Sequence, residues 1–324
     1  MSELRKEPVL QRWVVIMKNH HPQRLERCPF CPGNEPDTPP EVYAIRPGSS
    51  KSDTPGWTVR VVPNKYPFLR IEEEPAKRAY GLYDRMNGVG AHEIVIETPE
   101  HIQHFGTMEV SQLEGVLKAY RARLLDLRRD TRFKHIVIVK NHGPSVTALP
   151  HPHSHIVAFP IVPRRIDEEL KGTLNYSQFH DRCIYCDIIG QESSRNERMI
   201  METGLFASFI PFASRYPYET WILPKKHASD FGQISDAEIA DLAKLLRGVF
   251  SCVRTALSDP HYSLALHSSP LQEQHRPQYH WHFEVRPRVE VVHGFEWATG
   301  LFIHTIPPEE AAAQLKAACE KVTS

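Results

Sequence analysis

The chain has 324 residues, enough for two domains of ordinary size, and 41% of them are hydrophobic, enough for a substantial core. Its 39 basic and 39 acidic residues balance, which argues against general nucleic-acid binding but permits a local phosphate pocket. No apolar run approaches the ~18 residues of a membrane span, and the first residues lack the apolar stretch of a signal peptide. We therefore expect a cytoplasmic protein that does not enter a membrane.

The first half of the chain predicts several strands and one long helix. Apolar runs typical of strands occupy 12–17, 57–69, 91–101 and 135–140. Apolar residues that recur every three or four positions predict an amphipathic helix over 108–130. The segment 32–56 holds many prolines and has no clear period, which indicates a surface loop or a partly disordered insert.

The second half repeats this order. Runs typical of strands occupy 205–213, 218–227, 262–269 and 278–287. Ser235 and Glu238 form a capping box at the start of a predicted helix over 236–257, and a terminal helix is predicted over 308–322.

Three histidines, His151, His153 and His155, alternate along the stretch 149–160 and follow a loop that contains glycine. A strand repeats every two residues, so an extended chain places the three imidazoles on one face. The row could be incidental, a metal site, or a nucleophile with neighbours that hold it in place. The polar nitrogens of three adjacent imidazoles are hard to pair with hydrogen-bond partners in a core. Histidine also suits nucleophilic chemistry near neutral pH, so the pattern favours the last two interpretations.

Four of the six cysteines form two C-x-x-C pairs, at 28/31 and 183/186. In a reducing cytoplasm such a pair is more typical of half a zinc site than of a disulfide. Cys252 and Cys319 stand alone in helical segments, where we expect buried small hydrophobic side chains.

The cysteine pairs belong to a duplicated unit. Each half reads C-x-x-C, strand, strand ending in proline and histidine, long helix, strand, loop and H-x-H strand. The histidine that ends the strand precedes the H-x-H by similar spacings, from His101 to His151 and from His227 to His280. The pattern predicts a duplicated α+β unit with domains over 1–170 and 171–324.

The repeat predicts two structural zinc sites, because Zn²⁺ in such sites takes four tetrahedral sulfur and nitrogen ligands. The predicted ligands are Cys28, Cys31, His101 and His151 in the first site, and Cys183, Cys186, His227 and His280 in the second. His104 is an alternative to His101, although the proline spacing favours His101. The competing interpretation is that only the cysteines lie close together. The spacing does not distinguish zinc from iron.

A metal-bound His151 would leave His153 free and facing the same cleft. A neutral imidazole can attack an electrophilic phosphorus and form a covalent phosphoramidate, which suits group transfer rather than one-step hydrolysis. The predicted donors to the phosphoryl oxygens are the backbone amides around Gly143, the hydroxyls of Ser145 and Thr147, and His155. Ser145 and Thr147 could equally be loop formers.

Six segments together resemble the galactose-1-phosphate uridylyltransferase family, which belongs to the histidine-triad superfamily. They run through nearly the whole chain in the family's order: CPFCPGN, VRVVPNKYPF, NHGPSVTALP, HPHSHIVAFP, ETWILPKKH and GFEWATG. The resemblance implies an α+β fold of two tandem histidine-triad-like domains, each an antiparallel sheet with a long helix packed on it.

The same resemblance implies ping-pong exchange, in which His153 takes a nucleotidyl group from a nucleotide sugar and passes it to a sugar 1-phosphate. It also implies that Asn64 and Asn141 contact the nucleotide and its phosphates. The segment Phe295-Glu296 would meet the hexose hydroxyls, and the protein would be a homodimer.

Two features depart from the usual family pattern. His155 stands where the family usually has glutamine, so it would donate to a phosphoryl oxygen in a pH-dependent way. The second C-x-x-C and the FEWATG segment resemble a branch that includes ADP-glucose phosphorylase, which passes an adenylyl group to inorganic phosphate.

Three functions remain open at this point. Uridylyl transfer from UDP-glucose to galactose 1-phosphate is the leading expectation. Phosphorolysis of ADP-glucose, or of another nucleotide sugar or dinucleotide, is the enzymatic alternative. A zinc-ribbon binding module without catalysis is the non-enzymatic one, against which the balanced charge counts.

Overall fold

The computed structural model describes residues 2–17, 27–147, 149–271 and 278–323. The strands are β1 (Glu3–Lys6), β2 (Trp13–Ile16), β3 (Tyr43–Ile45), β4 (Val59–Pro63), β5 (Arg78–Tyr80), β6 (Tyr83–Asn87), β7 (Ala91–Ile96), β8 (His135–His142), β9 (His153–Phe159), β10 (Met199–Glu202), β11 (Phe206–Phe209), β12 (Thr220–Pro224), β13 (Tyr262–His267) and β14 (His282–Pro287). The helices are α1 (Val110–Leu127), α2 (Arg164–His180), α3 (Ile184–Arg195), α4 (Asp236–Leu257), α5 (Gly294–Thr299) and α6 (Pro308–Thr323).

One antiparallel sheet of ten strands organises the described chain, in the order β10-β11-β12-β14-β13-β8-β9-β7-β4-β3. Each half contributes five strands, and the two sets are arranged in mirrored order about the centre. The halves join where β8 pairs with β13, with Lys140 opposite Leu264. The predicted α+β class with a duplicated antiparallel unit is confirmed. The structure adds that the two sheets are joined edge to edge into one.

The two long helices cover one face of this sheet. Helix α1 contacts β3, β4, β7 and β9, helix α4 contacts β10 and β11, and the two helices also contact each other. Their apolar stripes are buried, as the spacing of three and four residues predicts. Helix α4 begins and ends where the sequence predicted, with Ser235 and Glu238 in a capping box.

The histidine row points away from these helices. In β9, the Ser154 hydroxyl lies 2.5 Å from the Tyr120 hydroxyl of α1, so Ser154 faces the helices. Because alternate residues of a strand share a face, His153 and His155 lie on the opposite face of the sheet. In the register of the sheet, Ile94 of β7 lies opposite His155.

The proline-rich segment 32–56 is more ordered than the sequence predicted. It contributes β3, the edge strand of the large sheet, whose Tyr43 pairs with Val61. Glu35 is buried and accepts a hydrogen bond from Trp57 Nε1 at 2.8 Å. Apart from this strand and a 3-10 turn at Glu35–Asp37, the segment is irregular, as expected. The strand was not predicted, because three residues are too few to show an alternating pattern.

A second, four-stranded sheet has the order β2-β1-β6-β5. It packs through Leu4 and Met86 on Val157 of the large sheet. Only β2 of its strands was predicted from the sequence. Helices α2 and α3, which follow the last strand of the first half, were not predicted either.

Cys252 and Cys319 are buried, as expected, but they also form a disulfide between α4 and α6. The sequence could not show this pairing, because it depends on the packing of the terminal helix against α4. Among the described residues, none of the helices combines the length and the apolar character that crossing a bilayer requires.

Candidate active site and metal centres

The four residues predicted for the first metal site lie together, although they come from three separate segments. Cys31 Sγ lies 3.1 Å from His101 Nδ1, and His151 Nδ1 lies 3.6 Å from Cys28 Sγ and 3.7 Å from Cys31 Sγ. Sulfur and nitrogen ligands of one tetrahedral Zn²⁺ stand about 3.6 Å apart. The cluster therefore has the size that one such ion requires.

His104 is not part of this cluster. Its Nδ1 accepts a hydrogen bond from the Gly106 amide at 2.9 Å, and its ring packs beside that of His142. The alternative ligand considered from the sequence is therefore not brought to the cysteines.

The second predicted set lies together in the same way. Cys186 Sγ lies 3.5 Å from His227 Nδ1 and 3.6 Å from His280 Nδ1, and Cys183 Sγ lies 4.0 Å from His280 Nδ1. In both sets, all four ligand atoms lie within 4.8 Å of one another.

Each cluster holds one histidine in the orientation that a metal needs. His151 donates from Nε2 to the Thr98 carbonyl at 2.8 Å, and His280 donates from Nε2 to the Pro224 carbonyl at 2.9 Å. In both rings the Nδ1 lone pair is thereby directed at the cysteines. Burial raises the pKa of Cys28 to about 11 and that of Cys186 to about 12, so a bound divalent cation would be needed to hold them as thiolates. These donor sets fit a tetrahedral ion.

His153 stands just outside the first cluster. Its Nδ1 donates to the carbonyl oxygen of His151 at 2.7 Å, which leaves the lone pair of the neutral ring on Nε2. The side chain is 4% exposed, and burial lowers the pKa of His153 to about 4. At neutral pH the ring is therefore uncharged and can act as a nucleophile.

A cavity of about 410 Å³ opens beside His153. One wall is apolar and is formed by Phe30, Val62, Ile94 and Leu149. The polar lining includes Asn64, Lys65, His153 and His155. An apolar slot with a few convergent polar groups is typical of a nucleotide site, in which the wall takes the base and the polar groups take the phosphates.

Asn141 lies on the same sheet face as the histidines. Val139 of β8 is directly opposite His155 in the ladder, and Asn141 is two residues further along β8. Its side-chain oxygen accepts a hydrogen bond from the Ser263 hydroxyl at 2.8 Å, which leaves its amide group as a donor.

The glycine loop lies at the end of β8, and none of its predicted donors is among the described residues that line the cavity. Gly143 has a φ of +95°, and a Cβ there would clash with the ring of His261, so glycine is required. The Ser145 hydroxyl lies 2.5 Å from His261 Nδ1, while the Thr147 hydroxyl lies 3.4 Å from the Leu149 amide.

Phe295 and Glu296 lie on α5 and do not line the cavity of the described chain either. Glu296 forms hydrogen bonds within its own segment, since it accepts from the amides of His293 and Ile303 at 2.7 and 3.2 Å. Phe295 is half exposed.

Sequence reasoning missed His92, which lies on β7 beside the histidine row. Its Nε2 is 3.0 Å from His155 Nδ1, and the Asn64 side-chain amide is 3.1 Å from the same Nε2. His92 lies in a predicted strand, but only the pairing of β7 with β9 shows that it approaches His155.

Sequence reasoning also missed the partners of His282, the counterpart of His153 in the other half. His282 Nδ1 donates to the carbonyl of His280 at 3.1 Å, and the ring lies 5.0 Å from Tyr185, as the His153 ring lies 5.4 Å from Phe30. The group also contains Glu169, His267 and Glu284.

Glu284 makes the surroundings of His282 different from those of His153. It occupies the position that His155 has in the first half, two residues after the central histidine. Its carboxylate accepts hydrogen bonds from Arg165 and from Arg215, the latter at 3.0 Å. Glu284 is therefore held by two guanidinium groups, whereas His155 lines an open cavity.

Comparison with known proteins identifies the family. The galactose-1-phosphate uridyl transferase N-terminal domain model matches residues 3–163, and the C-terminal domain model of the same family matches residues 169–320. The chain belongs to the galactose-1-phosphate uridylyltransferase family. Its relatives are enzymes that transfer nucleotidyl groups, so this member is a nucleotidyltransferase and the zinc-ribbon binding module is excluded.

Relatives of two activities match this family member over nearly its whole length. ADP-glucose phosphorylase of Arabidopsis thaliana is 32% identical over 97% of this chain and 92% of the relative. Galactose-1-phosphate uridylyltransferase of Thermotoga maritima is 30% identical over 98% of both chains.

Solved structures of proteins with both activities also match this chain over nearly its whole length. A uridylyltransferase structure has a TM-score of 0.86 at 28% identity and covers 99% of this chain and all of that one. The Arabidopsis ADP-glucose phosphorylase with bound ADP-glucose has a TM-score of 0.80 at 32% identity and covers 98% of this chain and 99% of that one.

Proposed function

We propose that this protein is a ping-pong nucleotidyltransferase in which His153 carries the nucleotidyl group, and that it moves uridylyl from UDP-glucose to galactose 1-phosphate. One observation carries the proposal. The His153 ring donates from Nδ1 to the His151 carbonyl and lines a nucleotide-sized cavity without joining the metal cluster.

The two half-reactions need no proton transfer at His153. In the first, the Nε2 lone pair attacks the α-phosphorus of the nucleotide sugar, a P–N bond forms, and the P–O bond to the sugar phosphate breaks with its electron pair on the leaving phosphate. The Nδ1 proton stays on the hydrogen bond to the His151 carbonyl, which stabilises the cationic ring. In the second half-reaction, an acceptor phosphate oxygen attacks phosphorus, the P–N bond breaks, and His153 regains its lone pair.

Neighbouring donors support charge on the phosphoryl oxygens. We assign this role to His155 and to the side-chain amide of Asn141, which both lie on the face of the sheet that carries His153. Asn64 and Lys65 line the nucleotide part of the cavity. The backbone around Gly143, with Ser145 and Thr147, remains a secondary phosphate-binding proposal.

We further propose that both cysteine–histidine clusters bind zinc. A zinc ion supplies fixed tetrahedral coordination and no redox chemistry. In the first cluster, coordination of His151 would fix the carbonyl that orients His153. The second cluster would hold α3 against the end of β12, since Cys186 lies in α3 and His227 follows that strand.

A second candidate function is phosphorolysis of ADP-glucose, with inorganic phosphate as the acceptor. The similarity to the Arabidopsis ADP-glucose phosphorylase favours it, at 32% identity over 97% of this chain. It would use the same His153 chemistry with a different base and acceptor. The protein would act in the cytoplasm in either case.

We propose a homodimer as the working form. Phe295 and Glu296 do not line the cavity of their own described chain, so a second copy would have to bring them to the sugar. The surrounding segment is unusually apolar for an exposed surface, with Trp297 84% and Val291 77% exposed. If so, an inactive His153→Gln chain mixed with an inactive Glu296→Ala chain should recover part of the activity, whereas no recovery would count against sharing of the site.

The nucleophile is tested by trapping the covalent intermediate. The protein is incubated with UDP-glucose labelled at the α-phosphorus, and in parallel with labelled ADP-glucose, and is then treated with acid or base. An acid-labile, base-stable label that disappears in His153→Gln supports the proposal. His282→Gln is the matched control, because His282 has the same Nδ1 hydrogen bond but is fully buried, and it should keep the label.

The acceptor is then identified by chasing the labelled protein. Release of UDP or ADP on addition of inorganic phosphate assigns a phosphorylase, whereas release of a UDP-sugar only with galactose 1-phosphate assigns the uridylyltransferase. Absence of label with both nucleotide sugars would remove the proposal.

A further inference from the structure

His92 forms the middle of a hydrogen-bonded chain that ends at the phosphate side of the cavity. Its Nε2 lies 3.0 Å from His155 Nδ1, and the Asn64 side-chain amide lies 3.1 Å from Nε2 and 3.3 Å from Nδ1 of the same ring. The ring is 8% exposed and packs against Phe68 with their centroids 4.5 Å apart. His92 is therefore held in place on more than one side.

The backbone sets the orientation of the Asn64 amide. The Tyr66 amide donates to Asn64 Oδ1 at 2.9 Å, so the NH₂ group of Asn64 must face His92. The Asn64 backbone amide also donates to the His92 carbonyl at 2.8 Å, which ties the two residues together. At the Asn64 end, the chain therefore begins with a donor.

The Asn64 donor, together with the pairing of both His92 nitrogens, sets the direction of the chain. A neutral imidazole has one donor and one acceptor nitrogen. Burial lowers the pKa of His92 to about 3 and that of His155 to about 4, so both rings are neutral at pH 7. The Asn64 NH₂ group lies near both His92 nitrogens, but His92 Nε2 also faces His155 Nδ1. If Asn64 and His155 both donated to Nε2, two donors would share one lone pair, and the N–H on Nδ1 would face the Asn64 donor. With Asn64 donating to Nδ1, every group is paired: His92 Nε2–H donates to His155 Nδ1, and the single N–H proton of His155 is on Nε2.

We propose that His92 is a positioning residue that holds His155 as the Nε2–H tautomer, with its N–H directed into the cavity. The assignment of that N–H to a phosphoryl oxygen rests on the proposed function. His155 would then act as the fixed donor that glutamine supplies elsewhere in the family. A tautomer with the proton on Nδ1 would present a lone pair to the phosphoryl oxygens and would repel them.

The tautomer can be measured without any activity. In protein with ¹⁵N-labelled histidine at pH 7.5, the ring nitrogens of His155 are assigned as the signals lost in His155→Gln. We expect His155 to carry its proton on Nε2 in the wild type, and to populate both tautomers in His92→Phe. His92→Gln should restore the Nε2–H form, because its carboxamide can still donate to His155 Nδ1.

Kinetic measurements distinguish a positioning role of His92 from a general loss of structure. In single-turnover labelling of His153, His92→Phe should lower the rate about 10-fold with little change in the concentration of nucleotide sugar that gives half the maximal rate. His92→Gln should recover most of that rate. His104→Phe is the matched control, because His104 is similarly buried and lies outside the cavity, and it should leave both the rate and the His155 tautomer unchanged.

Three results would overturn the inference. They are a wild-type His155 protonated on Nδ1, a tautomer unchanged in His92→Phe, and an equal loss of rate in His92→Phe and His92→Gln. If no nucleotide sugar labels the wild type, the proposed function fails. The NMR measurement still decides whether His92 sets the tautomer.

Discussion

The carbonyl oxygen of His151 accepts a hydrogen bond at 2.7 Å from Nδ1 of His153. His151 also belongs to the first cysteine–histidine cluster, where its own Nδ1 lies 3.6 Å from Cys28 Sγ. One residue thus connects the cysteine–histidine cluster to His153, through its backbone. The second half has the same bond between His282 and His280, at 3.1 Å, but His282 is fully buried and its neighbour on the strand is the arginine-bound Glu284.

Removing a ligand from each cluster should therefore have different effects on chemistry. We expect wild-type protein to contain about two zinc ions per chain, and Cys28→Ser and Cys183→Ser to contain about one each. Cys28→Ser should lower the labelling of His153 at least 10-fold, because the carbonyl that orients the ring is no longer fixed, with losses of this size typical of disturbed metal surroundings. Elemental analysis and labelling of the folded fraction measure the two effects.

Cys183→Ser serves as the control for that experiment. None of the four residues in the second cluster lines the cavity in the described chain. Labelling should therefore stay close to wild type while stability falls. Equal losses of labelling in the two variants would contradict a specific link between the first cluster and His153. Chelation should unfold or destabilise both forms.

The donor role of His155 predicts a difference between two substitutions. His155→Gln should keep the labelling rate within a few-fold of wild type, because a carboxamide N–H can replace the imidazole N–H. His155→Leu keeps a similar volume but has no donor, and the rate should fall about 10²–10³-fold. Similar rates in both variants would show that the position acts through packing alone.

His135 predicts a pH-dependent stability. The side chain is fully buried with both ring nitrogens unpaired among the described residues, and burial lowers the pKa of His135 to about 3. A lowered folded-state pKa means that stability is complete above the unfolded value near 6.5 and is lost as the pH falls towards 3, because the unfolded chain binds the proton more readily.

Replacing His135 with leucine should therefore remove this acid sensitivity. Relative to wild type, His135→Leu should gain about 2 kcal/mol of unfolding free energy between pH 8 and pH 5. Urea unfolding at the two pH values measures the change, and His267 and Glu169, whose charges act on His135, are present in both proteins. A difference that does not vary with pH would show that His135 is not held neutral.

Lys140 and Glu97 form a buried ion pair under the nucleophile strand, with exposures of 1% and 0%. Ser154 and Tyr120 also hydrogen-bond to the Glu97 carboxylate. Lys140→Met should destabilise the fold by about 3–5 kcal/mol, because it leaves a buried carboxylate without its cation. The double variant Lys140→Met/Glu97→Gln should recover part of the loss, and chemical denaturation of both proteins tests this.

Local patterns explain what could be predicted from the sequence. The stripe of α4 and its capping box involve residues three or four apart, and the alternation of His151, His153 and His155 has the period of a strand. These features need no knowledge of the fold, because their spacing reflects the geometry of one element. The edge strand at 43–45 lacked such a signal because it is only three residues long.

The repeated order of motifs allowed both sets of candidate metal ligands to be predicted from the sequence, although each set spans more than 95 residues. Repetition supplied a second copy against which each spacing could be compared. No such comparison existed for His92, whose partner His155 lies 63 residues away in the chain. The same holds for Cys252 and Cys319, which belong to helices that pack only in the folded protein.

By itself, the sequence determined the duplicated α+β pattern, the two cysteine–histidine sets and the row that contains His153. Only the tertiary structure decided that the halves share one sheet, that His92 contacts His155, and that Phe295 and Glu296 do not line the cavity of their own chain. The reason is physical. Periodicity records which face of an element is buried, whereas strand order and register depend on contacts between distant residues that leave no period in the chain.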